Sequence, residues 1–104
     1  MERMKLLIER IEQKYGVYIG RKSLSRLSTF LSGYECALED LTGSRPFFNA
    51  EFQAFVEKKE GKELCTDHWS VILSEGCSDE EAFDKFFAYW KEMMSEYEGV
   101  ASAS

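Results

Sequence analysis

Cys65-x-x-His68, with Cys77 further along, is the grouping in this chain whose side chains suit metal coordination, because thiolate and imidazole donors are what zinc takes. A closed structural zinc site needs four donors, and the two-cysteine knuckle that supplies one half of most such sites is missing here. No metal and no other cofactor is therefore expected. The same cysteines and the single histidine could make a nucleophile and its base, but only Asp67 stands near to orient the ring and no glycine-rich oxyanion loop accompanies it. Asp79, Glu80, Glu81, Asp84, Glu92 and Glu96 are plentiful enough for acid–base work. Such a carboxylate must be desolvated or crowded to shift its pKa, and their spacing puts these on the wet side of a helix. No catalytic residue is assigned, and the chain reads as a non-enzyme.

The element that carries those carboxylates is the clearest in the chain. Ser78 and Glu81 form a capping box, acids crowd the positive end of the helix, and the helix runs from Ser78 to Tyr97. At about 100° per residue, Ala82, Phe83, Phe86, Phe87, Tyr89, Trp90, Met93, Met94 and Tyr97 share one arc of roughly 160°. That face is predicted to be buried, with Phe86 and Trp90 as core residues. Residues 1 to 15 read as a first helix with Met4, Leu7, Ile8, Ile11 and Tyr15 inward. Gly16 and Gly20 bracket a short loop whose tyrosines are expected to pin it to the helices. Ser23 caps a second helix in which Leu24, Leu27, Phe30, Leu31, Tyr34, Ala37, Leu38 and Leu41 share an arc of about 140°, and Gly43 closes it. Gly33 inside that helix is expected to admit a close neighbour.

A third helix is predicted from a cap at Asn49, with Phe48, Phe52, Phe55 and Val56 inward and an end near Gly61. A short fourth helix is predicted from Thr66 or Asp67 to Gly76, around Trp69, Ile72 and Leu73, with a strand as the lesser alternative. Four to five helices joined by short turns imply an all-α, compact single-domain bundle over 1–99, followed by a frayed tail over 100–104.

With 104 residues, 44% of them hydrophobic, the chain is sized for one core. No apolar run approaches the roughly 20 residues of a membrane span, and no secretory leader is evident. Cys36, Cys65 and Cys77 fit no disulfide framework, so reduced, mostly buried thiols and a cytoplasmic address are expected. The formal net charge is −6 and it is polarised: residues 1 to 26 hold seven Lys/Arg against three Asp/Glu, and residues 75 to 98 hold two against eight. Phosphate neutralisation needs a cationic surface, so nucleic acid is not an expected partner and a basic protein is.

Two resemblances bear on function. Lys14-Tyr-Gly-Val-Tyr-Ile-Gly is similar to the Arg-Pro-Gly-Met-Tyr-Ile-Gly stretch of gyrase-type ATPases. The helix that follows lacks the magnesium-binding Asn of that family, and no later glycine-rich loop appears, so nucleotide hydrolysis is not implied. The order Gly-x-Tyr-Ile-Gly, Phe30-Leu-Ser-Gly-Tyr34-x-x-Ala37-Leu, Phe52-x-x-Phe55-Val, Trp69 with Ile72, then Glu81-Ala82-Phe83-x-x-Phe-Phe resembles small bacterial proteins of uncharacterised families. Several such families are regarded as immunity proteins of polymorphic toxin and contact-dependent growth inhibition systems. The resemblance implies a protein that neutralises a cognate toxin, for instance a basic nuclease, by occlusion and charge matching. The alternative is a small intracellular regulatory or ligand-binding domain with a pocket in its aromatic core. For the binding role, Glu35 and Glu39 on the second helix and Glu80 and Asp84 on the last are the expected partner-facing carboxylates. Each pair lies four residues apart and would present two charges to one surface.

Overall fold

Met4, Leu7, Ile8 and Ile11 recur at three- and four-residue spacing, and together they form the buried stripe of helix α1 (Glu2–Gln13). The computed structural model describes the backbone of residues 2–44, 46, 48–64 and 66–103, and the side chains of 3–44, 46, 48–64 and 66–97. The stretch expected to be a loop after α1 contains one helical turn, α2 (Tyr15–Tyr18), because the N–H groups of Ile19 and Gly20 both reach the Tyr15 carbonyl, at 2.8 and 3.1 Å. Gly20 leaves the turn at φ 87°, and a Cβ there would lie 2.8 Å from the Arg26 guanidinium, which itself donates to the Ile19 carbonyl at 3.0 Å. The tyrosines do fasten this segment: Tyr15 meets Phe83 edge-on and Tyr18 meets Phe30.

Helix α3 (Leu24–Thr42) begins and ends where its capping residues direct. Ser23 Oγ accepts from the Arg26 amide at 3.2 Å, and Gly43 closes the helix in the left-handed conformation at φ 74°. Its buried face is Leu24, Leu27, Leu31, Glu35 and Leu38. That face is rotated by roughly 50° from the predicted apolar arc, at about 100° per residue. Ala37 and Leu41, both expected inside, are exposed as a result. Gly33 has open space beside it, so no neighbour explains it.

Helix α4 (Phe48–Glu60) starts two residues before the position that a cap at Asn49 sets, so Asn49 lies inside it; Asn49 Oδ1 instead accepts the indole N–H of Trp69 at 2.8 Å. Helix α5 (Trp69–Ser74) is a short helix, not a strand, and His68 caps it. Helix α6 (Asp79–Ala103) opens on a complete capping box, with the Ser78 amide reaching Glu81 Oε1 at 3.2 Å and the Glu81 amide reaching Ser78 Oγ at 3.1 Å. The tail expected beyond residue 99 continues this helix through Ala103.

The elements α3, α4 and α5 all pack on α6, which supplies Ala82, Phe83, Phe86, Phe87, Trp90, Met93 and Met94 to the core. At its centre Phe52, Trp69 and Phe86 meet pairwise at 5.0–5.2 Å between ring centroids, and Phe48 stacks on Phe52 at 5.4 Å. The fold is an all-α, single-domain bundle of six helices among the described residues, four of them long. None of these helices is long and apolar enough to cross a membrane.

Candidate partner-binding surface

The acidic first turn of α6 is largely engaged within the molecule. The Asp79 carboxylate accepts from the hydroxyl of Ser23, from the Ser25 amide at 3.0 Å and from the Ser25 hydroxyl at 3.1 Å. The hydrogen bond from Ser23, reinforced by those from Ser25 and the Leu24 amide, holds this carboxyl below its ordinary range although burial opposes it. Glu81 is likewise held low by its bonds from Ser78, the amide first. Glu80 and Glu81 both face solvent, Glu81 while bonded into its cap. Asp84, one turn on, is exposed on the same face and pairs with Lys22 at 3.5 Å.

The other expected pair does not survive folding as a pair. Glu39 is exposed, but Glu35 is completely buried, so it cannot present a charge to a partner. The physical reason is its position: it lies four residues after Leu31 and three before Leu38, on the seam that α3 turns inward. That spacing is the signal in the sequence that marks Glu35 as internal.

Four further acids, Glu12, Glu60, Glu75 and Glu92, are matched by cations from other elements. Lys59 pairs with Glu92, Lys62 with Glu75 at 2.9 Å, Lys85 with Glu60 at 2.8 Å, and Lys91 with Glu12 at 2.6 Å. Glu60 also accepts from the Tyr89 hydroxyl at 2.6 Å, and the Lys59 and Lys85 ammoniums each lie 5.6 Å from the Tyr89 ring centre. Lys85 holds the Glu60 carboxyl below its usual range, whereas burial and then the Glu60 bond push the Tyr89 hydroxyl up to about 12. Exposed pairs of this kind contribute about 0–1 kcal/mol each to stability, yet they remove acids from the set available to a partner.

The residues weighed as metal ligands have other work. His68 Nδ1 accepts from the Ser70 amide at 3.2 Å and contacts its hydroxyl at 2.8 Å, while the ring leans on Trp69 at 4.8 Å with its outer edge exposed. Desolvation lowers its pKa. The Cys77 thiol donates to the Leu73 carbonyl at 3.2 Å, and Cys65 lies outside the described residues. Among the described residues no three His, Cys, Asp or Glu side chains are grouped so as to hold a metal ion. The thiols are less buried than expected, since Cys36 is exposed and Cys77 half-buried.

A surface feature missed in the sequence lies between α4 and α6. Glu51, Phe55, Met93, Glu96 and Tyr97 line a groove of about 370 Å³. Tyr97 belongs to the apolar arc predicted to be buried but is 46% exposed, and its hydroxyl donates to Glu51. The pairs Glu60–Tyr89, Lys59–Glu92 and Glu51–Tyr97 show that the two helices run antiparallel, so the last aromatic of α6 lies beside the first turn of α4. A second groove of about 640 Å³ separates α1 and α2 from α6; Tyr15, Phe83 and Phe87 line it together with the Lys22–Asp84 and Lys91–Glu12 pairs. Comparison with known proteins returns no match to a family model, a curated protein or a solved structure.

Proposed function

We propose that this protein is a non-catalytic binding module that acts in the cytoplasm on a protein partner with a basic surface, and that neutralising a toxin by occlusion is the specific form of that role. The observation that carries this reading is the distribution of charge. Of a net −6, the α6 side of the molecule retains Glu80 and Glu96 in solvent, together with Asp84, which stays largely exposed beside Lys22, and Glu39 is exposed on α3. The polar side chains around Asp79, Glu81, Glu60 and His68 form caps and clamps, the work of a scaffold. A rigid acidic helical surface suits fast capture of a basic protein, because complementary potentials raise the association rate.

Affinity capture from the native host, followed by association kinetics with the captured protein over a salt series, tests this. The expected partner is basic, its association slows as salt rises, and E39K/E80K/D84K slows it further while weakening the salt dependence. An acidic partner, or an association rate indifferent both to salt and to these substitutions, would remove the reading.

A further inference from the structure

We infer that the groove between α4 and α6 is the seat of an arginine side chain from the basic partner, an inference that rests on the reading above and gives it a location. Charge sets this groove apart from three others among the described residues. In the groove beside α1 and α2, Lys22 and Lys91 answer Asp84 and Glu12; Arg26 lines the one beside Tyr18 and Phe30; and Glu75, on the groove beside Ser70 and Ser74, pairs with Lys62. The α4–α6 groove has two carboxylates, Glu51 and Glu96, and no cationic side chain in its lining.

The rest of the lining suits the stem of the same side chain. Half-buried Phe55 offers apolar surface to methylene groups, and the largely buried Met93 lines the groove beside it. Tyr97 adds an exposed aromatic ring on which a planar guanidinium can stack, which is a reason to expect arginine over lysine. Its hydroxyl fixes Glu51 through one carboxylate oxygen and leaves the second as an acceptor. A volume of about 370 Å³ is at the low end of the roughly 300–1,000 Å³ of small-molecule sites, enough for one long side chain.

The test uses the full chain labelled with ¹³C at its methionine methyls and titrated with a synthetic amphipathic peptide of leucine and arginine. A second peptide carries citrulline, the uncharged isostere, in place of every arginine. The expected result is a saturable shift of the Met93 methyl with the arginine peptide only. Binding should weaken about threefold to tenfold in E51Q/E96Q, the scale of losing charge assistance at a partly exposed site, with an unchanged helical circular-dichroism spectrum. E80Q/D84Q should leave the Met93 shift intact. An equal Met93 response to the citrulline peptide would show that the groove takes apolar side chains and overturn the arginine seat. Saturable binding by calorimetry that leaves the Met93 methyl unshifted would overturn the seat but keep the basic-partner reading. No saturable binding of the arginine peptide by calorimetry would overturn both.

Discussion

Asp79, in the first turn of α6, accepts a hydrogen bond at 3.0 Å from the backbone amide of Ser25, in the first turn of α3, so one helix supplies the cap of another 54 residues away in the chain. Ser23 and Asp79 together satisfy amides that a lone N-cap leaves open. The caps are therefore tertiary contacts as much as local signals.

Replacing Asp79 with alanine should cost about 1–2 kcal/mol, the upper range for loss of an N-cap acceptor, as measured by urea unfolding at pH 7. The pH dependence has a defined sign. The folded-state pKa is depressed below the ordinary 3.8, so the stabilisation is present above 3.8 and is lost as pH falls from there through the folded value. Asp79→Asn should flatten that part of the acid limb.

The two tryptophans should respond unequally to phenylalanine. The Trp69 indole N–H bonds Asn49, whereas that of Trp90 is buried with no acceptor among the described residues. Trp69→Phe orphans Asn49 Oδ1 and should cost about 1–3 kcal/mol, while Trp90→Phe removes an unsatisfied donor and should cost less. Trp90→Ala, which opens a core cavity at a residue only 4% exposed, should cost about 3–5 kcal/mol. Chemical denaturation of the three variants gives the ordering directly.

His68 caps α5 through an unprotonated Nδ1. Its folded-state pKa lies below the ordinary 6.5, so its contribution is complete above 6.5 and is lost as pH falls below that value through the folded one. An NMR titration of the ring should show a midpoint under 6.5, and His68→Asn should retain the cap without the pH dependence.

Tyr89 should be the last tyrosine to ionise in an ultraviolet pH titration, near 12, and Tyr89→Phe should delete that step. Because its folded pKa is raised, the associated stability is full below 10 and is lost as pH climbs from 10 toward 12.

Where a residue's role is local, the sequence displayed it. Ser78 and Glu81 are three apart and cap each other; Ser23 and Gly43 bracket α3; the apolar arc of α6 is buried through Met94 apart from half-buried Tyr89. Residues whose role is set by what lies across the bundle were misread. Glu35 looked like surface because it is charged, although its spacing to Leu31 and Leu38 placed it inside. Asn49 looked like a cap, yet its partner is an indole 20 residues away. Tyr97 fits the buried periodicity, but periodicity does not reveal that it falls beside the first turn of α4 with its hydroxyl on Glu51, and so the groove it lines was not legible.

The side chains of α4 that hold Trp69 have a consequence for the order in which the molecule assembles. Gln53 accepts from the Trp69 amide at 2.7 Å and donates to the Asp67 carbonyl at 2.9 Å, while Asn49 takes the indole N–H. A six-residue helix is far below the roughly 12–15 residues at which isolated helices become even marginal in water. Helix α5 is therefore templated: its nucleation waits for α4 to be in place, and the amides of Ile72 and Leu73 should exchange with deuterium no more slowly than the inward amides of α4, the two segments opening as one cooperative unit.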